Sequence, residues 1–209
     1  KDTFMKNFED LSKQYFKVRA SKGNKINKIN IKKGRRIKES FNIDAHIVDA
    51  GCGENKFRNY FANLTAFDFV DYGNQDYVCS ILDAPIKKES QDGVLCLGVL
   101  HECPENYLMP NIKQMLSWLK PDGGLIMKCK SKATENKHPP GKNGYYLEYL
   151  TQGLWPDEKI YNVGKELNLK LEWKEKIKKK RTTSSIWDED IETDNTIFEG
   201  NLWMWRKNV

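Results

Sequence analysis

Between residues 45 and 130, short apolar runs alternate with segments whose apolar residues recur every three or four positions. Few folds accept that order. Ala45 to Ala50 (AHIVDA) is a compact run closed by Gly51, the pattern of a strand buried on both faces of a parallel sheet. Phe57, Tyr60, Phe61 and Leu64 follow at i, i+3, i+4 and i+7, which predicts one face of a helix. Thr65 to Val70, Tyr77 to Ile81 and Gly93 to Leu100 again read as strands. Ile112, Met115, Leu116 and Leu119 restore the helical spacing, and Pro121-Asp122-Gly123-Gly124 ends that helix before a strand over Leu125 to Cys129. Alternating strands and helices imply an α/β protein: a Rossmann-like, doubly wound sheet with helices on both faces.

The flanks are less regular. Phe4, Phe8, Leu11, Tyr15 and Val18 give a helical stripe over residues 1 to 20, after which Ser21 to Gly34 reads as a mobile loop. Beyond residue 130, His138-Pro139-Pro140-Gly141 reads as a loop, and Trp155-Pro156 opens a helix with Ile160, Val163 and Leu167 on one face. Leu169, Leu171 and Trp173 alternate as a strand, and Ile197 to Trp205 forms another. These two are expected to pair antiparallel at the end of the sheet. No internal repeat is visible.

The 209 residues suit one domain, and 39% apolar content suffices for a core. The longest apolar stretch, Gly93 to Leu100, is far shorter than a membrane-spanning helix needs, so no membrane association is expected. The opening Lys-Asp-Thr carries no secretory signal, and the missing initiator Met suggests a longer parent polypeptide or complex. Five cysteines without a C-x-x-C spacing argue against a disulfide framework and against zinc, so no metal and a reducing, cytoplasmic setting are expected.

The net charge of +6 is uneven. Lys17 to Lys38 holds ten basic residues and no acidic one, and Lys174 to Arg181 holds six against Glu175 alone. Such patches suit a phosphate backbone or an anionic substrate, and equally a solvated surface. The acidic run Asp188 to Asp194 has Thr193 where a calcium loop requires glycine, so a hairpin tip is expected there instead.

The chemistry concentrates in Val48-Asp49-Ala50-Gly51-Cys52-Gly53-Glu54-Asn55, after a strand and before the predicted helix. A ligand approached by backbone there needs permissive φ angles at Gly51 and Gly53, and Asn55 also tolerates a left-handed conformation. A purely structural turn would show the same glycines. Asp68, fifteen residues after Gly53 at the end of the next strand, is placed to accept both ribose hydroxyls of a nucleotide, or to cap a turn. These residues leave a nicotinamide and an S-adenosylmethionine cofactor both open.

Four segments resemble the class I S-adenosylmethionine-dependent methyltransferases of the type 11-like kind. VDAGCG (48 to 53) resembles their first motif, and FDF (67 to 69) their ribose-binding acid with its adenine-packing neighbour. YVCSILDAP (77 to 85) with SQDGVLCLGVLH (90 to 101) resembles their adenine turn and fourth strand, and LKPDGGLIM (119 to 127) their turn into the fifth. The resemblance spans residues 44 to 130 and is topological beyond. It implies a seven-stranded sheet, parallel except for the last strand, and S-adenosylmethionine as cofactor. It also implies a basic extension over 1–43, a cofactor core over 44–130 and an acceptor-side region over 131–209. Asp49 is implied to serve the methionine ammonium, Asp68 the ribose, and Phe69 the adenine. Gly51, Cys52, Gly53, Asn55 and Leu97 would complete the pocket. The family's adenine-contacting Asp is replaced by Ser80, so the Ser80 hydroxyl and Ile81 backbone are expected to take that part.

Methyl transfer from a sulfonium chiefly needs alignment, so a base is optional. His101 and Glu102, just past the fourth strand, are the candidates; His101 could equally only line the pocket. Lys130, His138, Tyr145, Tyr146 and Trp155, with Pro139 and Pro140, have the composition of a lid over a planar or sugar acceptor, or of ordinary packing. Tyr15 and Phe16 could fold across the cofactor or pack on the sheet. The acceptor expected is a small metabolite or sugar, methylated at O or N. RNA held by residues 17–38 and 174–181 is the alternative, and a non-catalytic scaffold of the same fold a second.

Overall fold

The computed structural model describes residues 31–100, 103, 105–133, 155–180 and 197–208. Within them lie α1 (Ile31–Glu39), β1 (His46–Ala50), β2 (Asn63–Asp68), β3 (Tyr77–Val78), β4 (Gln91–Leu97) and α2 (Glu105–Trp118). Then follow β5 (Leu119–Ala133), α3 (Asp157–Glu166), β6 (Leu169–Lys180) and β7 (Ile197–Lys207). The strands form one seven-stranded sheet in the order β3-β2-β1-β4-β5-β7-β6. β1 pairs in parallel with both β2 and β4, so strand order reverses beside it. β7, inserted between β5 and the edge strand β6, runs antiparallel to both, so the last strand is the antiparallel one, as expected.

Residue alternation along each strand divides the core. Val48, Val94, Cys96, Leu125, Met127, Trp203 and Trp205 face α2 and α3, with Ile112, Met115, Trp118, Ile160 and Val163 against them. Ile47, Leu95, Ile126, Leu202 and Met204 face the other way, toward Ile37 of α1, Phe57 and Phe61. Both faces of the sheet are thus covered, which is why its central strands read as continuous apolar runs. On the first face Gly164 is needed for packing: a Cβ there would lie 2.6 Å from Cη2 of Trp205.

Several elements depart from the sequence reading. The helix expected over Phe57 to Leu64 is instead a succession of turns, with amide bonds spaced by three: Asn55 to Cys52, Arg58 to Asn55 and Tyr60 to Phe57. Asn55 at φ 51° breaks the right-handed path, and Leu64 joins β2. Phe57 and Phe61 are nonetheless buried, so the periodicity marked the buried face and mistook the backbone. Residues 31–34, expected as loop, begin helix α1. β3 is only two residues long. β5 starts at Leu119, and between Gln91↔Leu119 and Gly93↔Gly124 its register slips by the extra residues of the Pro-Asp-Gly-Gly segment. Helix α2 ends where Ser117 and Trp118 carbonyls accept the Glu89 and Ser90 amides, filling the acceptor positions a helix end leaves open.

β6 extends through Lys180, so most of the second basic run lies on a sheet edge. Lysines on an edge strand oppose pairing with another chain. Lys174 binds the Asp157 carboxylate and sits 4.6 Å from the Trp203 ring centroid. Arg36, from the first basic run, lies over Trp173. The helix expected over residues 1–20 and the acidic hairpin tip lie outside the described residues. Among the described residues no helix is long and apolar enough to cross a membrane.

Candidate cofactor crevice

In open α/β sheets, ligands bind at the carboxyl ends of strands where strand order reverses. Here that point is the gap between β1 and β4. β1 ends in Asp49-Ala50, and the chain turns through Gly51 at φ 74°, Gly53 at φ 53° and Asn55 at φ 51°, the left-handed conformations expected at all three. The Gly51 and Cys52 amides both donate to the Phe67 carbonyl, anchoring the turn to the end of β2. Gly51 is fixed by the segment just past β4 as well. A Cβ on it would stand 2.2 Å from Cγ2 of Val99, so the two strand ends touch there. Gly53 is the opposite case, with open space where its Cβ would be, and a ligand can approach its backbone.

Asp68, 7% exposed at the end of β2, faces this turn. Its Oδ2 accepts the Gly53 amide at 2.9 Å and its Oδ1 the Val70 amide at 3.0 Å. Burial raises its pKa, and the amides of Val70, Gly53 and Phe69 oppose the rise. Asp49 is 3% exposed, and among the described residues its carboxylate has no hydrogen-bond donor. Its pKa climbs to about 7, first through burial and then through the Asp68 charge, with Arg58 pulling the other way. Burial and the same two carboxylates push the Cys52 thiol far up, so it stays neutral and unreactive.

A second layer of bonds holds the turn. Asn55 Nδ2 donates to the Asn74 carbonyl at 2.7 Å, and Asn74 Nδ2 to the Glu54 carbonyl at 3.0 Å. Arg58 bridges the Leu64 carbonyl and Asp76, whose carboxylate also accepts the Ala66 amide. Sequence reading missed Arg58, Asn74, Asp76 and Val99. No spacing rule links Arg58 to a partner eighteen positions away. The positive φ required at Gly51 gave a reason for glycine but no hint of Val99.

Of the other expected site residues, Phe69 and Leu97 are half-buried beside the crevice strands and Ile81 is buried. The Ser80 hydroxyl donates to Asp83 at 2.6 Å, leaving Ser80 a lone pair to offer a ligand. Trp155 is buried in the core against α3, with Lys159 over its ring. His101, Glu102, His138, Pro139, Pro140, Tyr145 and Tyr146, with Tyr15 and Phe16, lie outside the described residues, as does the Lys130 side chain.

No protein-family model matches this sequence, and no curated protein does. Solved structures match it in fold. One is the Burkholderia thailandensis 1,6-didemethyltoxoflavin-N1-methyltransferase with 1,6-didemethyltoxoflavin and S-adenosylhomocysteine bound, at TM-score 0.68 and 14% identity, covering 97% of this chain and 90% of that one. The chain has the class I S-adenosylmethionine-dependent methyltransferase fold. A second is the N-methyltransferase NodS from Bradyrhizobium japonicum with S-adenosylhomocysteine, at TM-score 0.55 and 13% identity, with 84% of each chain covered. The [4+2]-cyclase SpnF matches at TM-score 0.56 and 12% identity over 83% of this chain and 80% of its own. A methyltransferase fold therefore hosts other chemistry too, and function has to be argued from the site.

Proposed function

We propose that this protein transfers a methyl group from S-adenosylmethionine to an O or N acceptor on a small metabolite or sugar. The observation that carries this is the pair of buried carboxylates, Asp49 and Asp68, on either side of a glycine turn whose Gly53 faces open space. Asp68 is held rigid by backbone amides with lone pairs left for ribose hydroxyls. Asp49, without a donor among the described residues, suits an ammonium. Phe69, Ile81 and Leu97 supply apolar surface for adenine, Ser80 a polar contact, and Gly51, Cys52 and Asn55 the turn itself.

The cofactor, when bound, brings a methyl on a good leaving group, so the chain's task is alignment and exclusion of water. His101 and Glu102, following β4, would take the acceptor's proton. Lys130, His138, Tyr145 and Tyr146 would form the acceptor wall, with Trp155 bracing it from the core. The Burkholderia structure, which holds a planar heterocycle and S-adenosylhomocysteine, supports a small acceptor. The engagement of Lys174 with Asp157 and of Arg36 with Trp173 takes weight from an RNA acceptor.

Titration calorimetry with S-adenosylmethionine should show saturable binding, weakened by Asp68→Ala at least tenfold, about the worth of lost charge-assisted hydrogen bonds. Equal affinity in the variant would remove the ribose role. Transfer of labelled methyl should then be followed across heterocyclic amines, phenols, sugars and RNA. Turnover of a small acceptor that is indifferent to salt supports the proposal, whereas RNA methylation that collapses with salt replaces it. Binding without transfer to any acceptor would mark a scaffold.

A further inference from the structure

Asp49 and Asp68 sit on one face of the sheet. Asp49 pairs in register with Ala66, so Asp68 stands two positions farther along the neighbouring strand, and side chains two apart share a face. Their surroundings differ. Asp68 receives three backbone amides, while Asp49 receives none from the described residues. The groups acting on Asp49 are Asp68 on β2, Arg58 in the turns, and the thiols of Cys52 and of Cys96 on β4. Both thiols are held neutral by burial. The Arg58 guanidinium is already committed to Leu64 and Asp76. A carboxylate so buried, beside a like charge and without a donor among the described residues, needs either a proton or an incoming cation.

We infer that Asp49 is a proton-exchange site: it holds a proton while the crevice is empty and releases it when a ligand's ammonium group takes that place. This rests on the proposed cofactor reading and adds a rule of selection to it. The charges balance, since a neutral carboxylic acid plus an ammonium gives a carboxylate–ammonium pair and one proton to solvent. The rise of the Asp49 pKa to about 7 places the exchange near neutrality. The crevice thereby favours ligands carrying the amino-acid end over those with the adenosyl group alone.

The test is calorimetry on the full chain with S-adenosylhomocysteine in two buffers of different ionisation enthalpy. At pH 7 about half a proton should leave per ligand bound, and affinity should fall about tenfold from pH 8 to pH 6, as linkage to a group titrating near neutrality requires. 5′-Methylthioadenosine, with the same nucleoside and no amino group, should bind with no proton release and no pH dependence over that range. Asp49→Asn should abolish release with S-adenosylhomocysteine yet bind 5′-methylthioadenosine like the wild type. Binding of S-adenosylhomocysteine with no proton released and a flat pH profile overturns the inference while leaving the cofactor reading intact. If neither ligand binds, both fall.

Discussion

The β2–β1 half of the sheet is paired in parallel and the β5–β7–β6 half antiparallel, and the two treat their charged groups oppositely. In the second half charged side chains are paired, although the buried Trp203 indole N–H finds no acceptor among the described residues: Asp157 joins Lys174 to Asn201, and Arg206 joins Glu172 to the Asp122 carbonyl. Trp203 and Trp205 stack 5.8 Å apart with Tyr161 edge-on to both, a surface closed upon itself. In the first half two carboxylates are buried close together, and one has no donor among the described residues. Such a group costs stability unless something external completes it. On the proposed reading, the contrast separates a region made to stay folded from one made to receive a ligand.

The largest expected effect tests that cost directly. Asp49 has a folded pKa of about 7 against an ordinary 3.8, so its protonated form is the one the empty fold favours. Its contribution is fully present below the unfolded value and is lost as pH rises through the folded one, at about 1.4 kcal/mol per pH unit between them. Asp49→Asn mimics the protonated acid, and urea unfolding of the two proteins should diverge from pH 5 to pH 8 in favour of the variant. Over that window the divergence is bounded at about 3 kcal/mol by the same relation. Parallel stability curves would mean that Asp49 is already satisfied in the empty protein, and the distinction between the two halves would lose its main support.

Next in size is a pair of glycine substitutions, one in each half. Gly51→Ala combines a Cβ 2.2 Å from Val99 with a φ of 74°, and should cost about 3 kcal/mol and abolish cofactor binding. Adding Val99→Ala should recover part of the stability, leaving the strain of the left-handed backbone. Gly164→Ala meets the Trp205 ring and should cost about 2 kcal/mol. Unlike Gly51→Ala, it should leave the affinity for S-adenosylmethionine unchanged at temperatures where the protein stays folded. Equal loss of binding in both variants would show that the halves are not functionally separate.

The two halves also differed in how far they could be read from sequence. At the crevice, VDAGCG fixed the strand end and the glycine turn, because close backbone approach and positive φ both demand small or permissive residues there. Asp68 followed from its distance to that turn. What stayed hidden depends on contacts between distant positions: Val99 on Gly51, Asp76 on Arg58, and the absence of a donor to Asp49 among the described residues. The Phe57–Leu64 spacing located buried residues correctly but gave the wrong backbone, since a series of turns can bury the same side chains as a helix. On the far side, the antiparallel pair was visible in alternation over Leu169, Leu171 and Trp173. The continuation of β6 through its lysines was not, because a Lys-rich edge strand has the composition of a loop.

The smallest expected effect falls in the closed half, on Lys174. Its ammonium joins the Asp157 carboxylate and lies over Trp203, but the lysine side chain is 28% exposed and that of the aspartate 40%. Water screens such a pair, so Lys174→Met should cost less than about 1 kcal/mol, part of it from the ring contact. The difference from wild type should shrink in high salt as the ion pair is screened, leaving the cation–ring share. Cofactor affinity should not change, because Asp157 keeps Asn201 as a donor and the crevice lies across the sheet. A loss well beyond 1 kcal/mol would mean that this edge depends on one charge as heavily as the crevice does. Shared pairing of its charged side chains would then no longer explain why it stands closed.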